Sequence, residues 1–147
     1  MSELPENLKF KIEARWDKKT GANIRFESDR SLIIDTPTEF GGRGTALCPD
    51  ELFLTSIAGC VLTTFLWFTR KRGVKINDMR LDAESEIELI KGAYSFKAIR
   101  ITIEISAPEE YADKAKTCLD LAIRYCHISR GIEHCIPIDV TGKVIVS

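Results

Sequence analysis

The chain has 147 residues, 44% of them hydrophobic, enough apolar mass for one ordinary globular domain spanning 1–147. Its 21 basic and 22 acidic residues leave a formal charge of −1, which excludes a strong general attraction to a phosphate backbone or an anionic lipid surface. Neither nucleic acid nor a membrane is expected as a partner. Five cysteines without a Cys-x-x-Cys argue against a disulfide framework, a zinc ribbon and a thioredoxin-type site.

The start, Met1-Ser2-Glu3-Leu4-Pro5-Glu6, has neither the basic head nor the apolar run of a signal peptide. A cytoplasmic location is expected, where thiols are kept reduced. Residues 8–35 read as a meander of three strands. Phe10, Ile12 and Ala14 alternate with charged residues, Asp17-Lys18-Lys19-Thr20-Gly21 makes a turn, Ile24 and Phe26 lie on the return, and Leu32-Ile33-Ile34 forms the third strand. A glycine-rich loop of roughly a dozen residues follows, long enough to expect a function or a partner contact.

The next element is a helix from Pro49 to Arg72. Asp50 and Glu51 in its first turn and Arg70-Lys71-Arg72 before Gly73 both complement the helix dipole. Its apolar run Leu52–Phe68 approaches a membrane span in length, but Thr55, Ser56, Gly59, Thr63 and Thr64 interrupt it. It reads as the central helix of a soluble protein, wrapped on most sides. A long hairpin comes next, with Met79, Leu81, Ala83, Ile87 and Leu89 on one face, a turn near Lys91-Gly92, and Ile99, Ile101, Ile103 and Ile105 pointing inward on the return. Ser106-Ala107-Pro108-Glu109 has capping-box spacing and opens a second helix predicted to end near Gly131. That helix carries Ala115, Leu119, Ala122 and Cys126 on one stripe, and a strand over Pro137–Val146 closes the chain. Strands, helix, strands, helix, strand is an α+β order.

The chemistry-bearing candidates are cysteines. Cys60 lies mid-helix after Gly59, and Cys126 lies on the core stripe of the second helix. Two such thiols suit two-cysteine redox chemistry, in which a thiolate attacks a peroxide and a second thiol closes a disulfide. The competing reading is packing, because cysteine is among the most buried residue types. Gly59 costs roughly 1 kcal/mol relative to alanine inside a helix, so a close approach is expected there. A disulfide needs Cα atoms within about 7 Å, a proximity only folding can supply. Cys126, His127, His134 and Cys135 form a rival zinc-type set, although the adjacent pairs lack zinc-ligand spacing. Asp50 and Glu51 stand ten and nine residues before Cys60. At about 100° per residue, Asp50 falls about 80° from Cys60 around the axis and Glu51 falls opposite, both too far along the helix to touch it.

Two segments carry a resemblance. The first is Pro49-Asp50-Glu51-Leu52 leading to Gly59-Cys60, and the second is Cys126-His127-Ile128-Ser129. In this order, with the glycine-rich loop and acidic hairpin around them, they resemble the OsmC/Ohr family of thiol-dependent hydroperoxide reductases. The likeness covers nearly the whole chain. It implies an OsmC-like α+β fold with antiparallel sheets around a long central helix, intertwined as a homodimer. It also implies Cys60 as the peroxidatic cysteine, Cys126 as the resolving one, and Asp50 and Glu51 as site carboxylates. The substrate would be a hydroperoxide and the reductant an external dithiol, with no metal, haem or flavin as cofactor.

Three positions depart from that pattern. Asp50 stands where the family has a catalytic glutamate, none of Arg15, Lys18, Lys19 and Arg25 cleanly matches its first-hairpin arginine, and His127 replaces the proline after the second cysteine. The rival to an enzyme is a small-ligand-binding protein on the same scaffold, its pocket lined by Phe65, Trp67 and Phe68 and its cysteines structural.

Overall fold

Turn chemistry sets the first sheet in the computed structural model, which describes residues 4–147. Strands β1 (Ile12–Trp16), β2 (Gly21–Phe26) and β3 (Ser31–Asp35) form an antiparallel meander, as the alternation predicts. Asp17 shapes the first turn by accepting the N–H groups of Lys19 and Gly21 at 2.7 and 3.2 Å. Gly21 is required there, since a Cβ on it would stand 2.2 Å from the Ile34 carbonyl oxygen. The chain forms two compact units, one up to Leu52 and one from Phe53 onward, and this sheet belongs to the first.

The glycine-rich loop is built around Asp35, whose side chain is fully buried. Its carboxylate accepts the hydroxyls of Thr20 and Thr45 at 2.6 and 2.7 Å and the N–H groups of Thr36 and Thr45 at 2.9 and 3.1 Å. Arg43 stands 3.5 Å from the same carboxylate and also pairs with Asp17. The two threonine hydroxyls, then the backbone N–H groups, outweigh desolvation and hold the Asp35 carboxyl far below the usual carboxylate range. A depressed folded value gives stability that is complete above the unfolded carboxylate value of about 3.9 and lost as pH falls below it. Asp35→Asn is therefore expected to lower the melting temperature at neutral pH and to flatten its fall under acid, in thermal melts from pH 7 down to pH 2. Parallel curves for the two proteins would contradict this role.

Ile12 and Trp16 on one face of this sheet, and Ile33 on the other, are each more than half exposed.

The second unit holds a sheet in the order β4–β5–β6. Strands β4 (Asp78–Ile90) and β5 (Ala93–Ala107) make the expected hairpin. Lys91 and Gly92 turn it with φ of 50° and 82°, the positive values a two-residue turn demands. Ile99, Ile101, Ile103 and Ile105 are all buried, as their period of two predicts. Leu89, placed inward by the same alternation, is 59% exposed, and Ile90 and Tyr94 beside it are exposed as well. The end of the hairpin outruns the elements that cover its base. One pairing also departs from the antiparallel expectation: β6 (Ile138–Val146) runs parallel to β5. A parallel neighbour requires a crossover, and two helices supply it.

The first of these, α2 (Glu109–Tyr125), packs on β5 and β6. Gly142 lets it sit close, since a Cβ there would come within 2.5 Å of Leu119 Cδ2. The predicted capping box does not form. Ser106 stays in β5, its hydroxyl bonds that of Ser147, and Pro108 precedes α2 without a side-chain cap. Nor does the helix continue to Gly131. It stops at Tyr125, Cys126 adopts an extended ψ of 107°, and a short helix α3 (His127–Ile132) begins.

The long helix α1 spans Pro49–Arg72, and Gly73 ends it at φ 61°. By length and composition it could cross a membrane. Its stripe of Ile57, Cys60, Val61, Phe65 and Thr69 is buried, and all but Thr69 join the isoleucines of β5 and the α2 stripe in one core, the packing of a core helix. The chain does not wrap it on most sides as expected, for Thr55, Ser56 and Thr63 are exposed and Leu62, Leu66 and Trp67 only half-buried. No close approach explains Gly59 either, since a Cβ there would meet nothing within 4 Å.

Candidate active site

Both cysteines singled out in the sequence enter the second unit's core, Cys60 7% exposed from the middle of α1 and Cys126 fully buried at the break between α2 and α3. Both are free thiols. They are neighbours in this core, near enough for Cys60 to add to the upward push on the Cys126 thiol. Folding thus supplies a proximity that 66 positions of sequence separation hide. Burial first of all pushes the Cys126 thiol up, contacts from Ser129 oppose the rise, and the neighbouring Cys60 adds to it. Cys126 is therefore a thiol, not a thiolate, at neutral pH. The buried Ser129 donates its hydroxyl to Cys126 Sγ at 3.3 Å, holding the sulfur in place.

Around Cys60 stand two further groups that the sequence reading did not single out for this site. The Thr64 hydroxyl, one turn along α1, lies 3.9 Å from Cys60 Sγ. The imidazole of His127 brings Nδ1 to 3.6 Å and Nε2 to 4.0 Å of the same sulfur. In the sequence His127 belongs to the rival zinc-type set and departs from the family's proline; the structure sets it against Cys60. Its signal was adjacency to Cys126, invisible as such while the helix was expected to run straight through.

The other candidates lie elsewhere. Cys118 is buried in the core, and burial pushes its thiol up. Cys135 and His134 are exposed, and His134 stands 3.8 Å from Glu133. Among the described residues no group of three or more His, Cys, Asp and Glu could hold a metal ion. Glu51 closes the start of α1 by accepting the Cys48 N–H at 2.9 Å, the reciprocal half of a capping box. Asp50 is half-buried in the same turn. No break in α1 brings either carboxylate toward Cys60. Phe65 is packed into the core and is no pocket wall, while Trp67 and Phe68 stack edge-on at 4.9 Å.

Residues 42–141, which contain Cys60, Cys126 and His127, match the family described as OsmC-like protein. The chain belongs to the OsmC/Ohr family. Its OsmC-like sequence is 24% identical over 140 residues to the uncharacterized protein YmaD of Bacillus subtilis (strain 168), covering 92% of this chain and 93% of that protein. Its fold is similar to that of an OsmC-like protein from Mycoplasma pneumoniae, with a TM-score of 0.79 at 16% identity over 95% of this chain and 99% of the other. It is also similar to an organic hydroperoxide resistance protein from Elizabethkingia anophelis, with a TM-score of 0.72 at 15% identity over 98% of this chain and all of the other. At these identities the two solved structures establish the OsmC-like fold and nothing finer.

Proposed function

We propose that this OsmC-like protein is a thiol-dependent peroxidase that reduces organic or inorganic hydroperoxides through Cys60 and Cys126. The observation that carries the reading is the meeting of these two free thiols in one cluster, one buried beside a base and the other held by Ser129. Cys60 sulfur attacks the peroxide, an S–O bond forms as O–O breaks, and an alcohol or water leaves. Cys60 is then a sulfenic acid, and peroxide has taken two electrons from its sulfur. Cys126 attacks that sulfur, S–S forms, and water leaves. An external dithiol reduces the disulfide by exchange and restores both thiols. These steps call for no metal, haem or flavin.

A homodimer is part of the proposal. Within one chain α1 keeps Asp50 and Glu51 ten and nine residues from Cys60, so carboxylates at the Cys60 thiol would come from a second copy. A reducing cytoplasm suits the dithiol step and completes the reading. The test is steady-state consumption of a hydroperoxide by the purified protein with dithiothreitol as electron source. Catalysed consumption well above that of dithiothreitol alone is expected; a rate equal to it would leave the scaffold without the activity.

A further inference from the structure

We propose that His127 is the proton-transfer partner of Cys60: its imidazole takes the thiol proton before attack and hands it to the oxygen that leaves. The second half rests on the peroxidase reading above; the first half does not need it.

The placement is specific to how this chain folds. A straight continuation of α2 would turn His127 about 100° away from the stripe that carries Cys126. The extended ψ of 107° at Cys126 interrupts the helix, and the imidazole comes to Cys60 with both ring nitrogens within 4.0 Å of the sulfur. The nearer nitrogen is Nδ1 at 3.6 Å, so the tautomer protonated on Nε2 leaves a lone pair on the nitrogen closest to the thiol. The remaining partners are poor bases. Thr64 offers a neutral hydroxyl at 3.9 Å, and burial keeps Cys126 protonated. The titratable groups gathered with His127 are thus Cys60 from α1 and Cys126 just before it, and imidazole is the base of the set. His127 is itself exposed, so its proton exchanges with water between turnovers.

The proton balance closes on this pair. The Cys60 S–H proton passes to a His127 ring nitrogen, leaving thiolate beside imidazolium, the activation described for cysteine–histidine pairs in general. The thiolate attacks the terminal peroxide oxygen, and the departing alkoxide takes the proton from His127 to become alcohol. Imidazole is regenerated neutral, and Cys60 is left as the sulfenic acid.

The experiment follows the rate at which iodoacetamide labels Cys60, read by peptide mass spectrometry, from pH 5.5 to 10 in the wild type, His127→Ala and His127→Asn. A free thiol of pKa about 8.5 is only about 3% ionised at pH 7, so removing the base is expected to slow Cys60 labelling there by about tenfold or more. The curves should converge at high pH, where hydroxide does the work of the imidazole. In the peroxide assay at pH 7 the same variants are expected to lose about 10²-fold or more, with His127→Ala partly rescued by added imidazole. Superimposable labelling curves in both variants would overturn the pairing. A wild type whose labelling depends on His127 but which consumes no peroxide would uphold the proton pair and overturn the peroxidase reading instead. The asparagine keeps a polar side chain at this exposed position, so its thermal melt should match the wild type and exclude misfolding as the cause.

Discussion

Replacing Cys60 with serine is expected to reduce peroxide consumption to the background set by the dithiol alone. Sulfur can accept an oxygen atom from a peroxide because sulfenic acid is a stable rung of its oxidation ladder. A serine hydroxyl has no such rung, and at neutral pH it is not ionised even beside an imidazole. The loss should therefore be complete instead of graded, and raising the pH should not restore it. The fold should survive. The exchange is nearly isosteric, and the Thr64 hydroxyl and the His127 imidazole, 3.9 and 3.6 Å from the present sulfur, lie near enough for a small side-chain shift to bring one to the new hydroxyl. The cost of a hydroxyl at this buried position is about 1–3 kcal/mol where it is left unbonded, and less where these partners take it. A Cys60→Ser protein with wild-type turnover would mean that the nucleophile is a different group.

Cys126→Ser is expected to behave differently: a single rapid equivalent of peroxide consumed, then a stall. Nothing in that variant can condense with the oxidised Cys60, so the sulfenic acid should accumulate and be trapped by dimedone on the Cys60 peptide. Dithiol-dependent turnover should fall steeply, because no disulfide forms for the dithiol to reduce by exchange. Ser129 remains to hydrogen-bond the new hydroxyl, as it now bonds the Cys126 sulfur at 3.3 Å, so the break between α2 and α3 should persist. A variant that cycles at the wild-type rate would remove Cys126 from the mechanism.

Periodic burial made most of this fold legible. A strand lying in a core alternates, and Ile99 to Ile105 alternate; a helix on a sheet shows one apolar stripe, and Ala115, Leu119 and Ala122 are fully buried. Proline, acid, base and glycine at their proper ends fixed α1 from Pro49 to Arg72. Where alternation stood alone it over-reached, as at Leu89, since a pattern reports which side chains share a face but not whether anything covers it. Capping spacing misled at Ser106, which is claimed by the sheet and by Ser147. Half of a box forms instead at Cys48 and Glu51, hidden because cysteine is not a usual capping residue.

The site was legible only in its two sulfurs. Cys60 and Cys126 stood out through their placement on apolar stripes, and the two segments around them carried the family resemblance. His127 was hidden by one backbone angle. On an unbroken helix its side chain leaves the core stripe, and only the extended conformation at Cys126 brings it to Cys60. Arg43 was missed for a similar reason. Its partners Asp17 and Asp35 lie 26 and 8 residues away, joined to it by the path of the loop and by no local pattern.

The account depends on Cys60 and Cys126 exchanging a bond within the working protein. The direct measurement is peptide mapping of the reduced wild type after one equivalent of hydroperoxide, with free thiols blocked before digestion. The expected product is a Cys60–Cys126 linked peptide, lighter than the two separate peptides by two hydrogens and released by dithiothreitol. Unchanged thiols at both positions, or a linkage through Cys48, Cys118 or Cys135 instead, would contradict it.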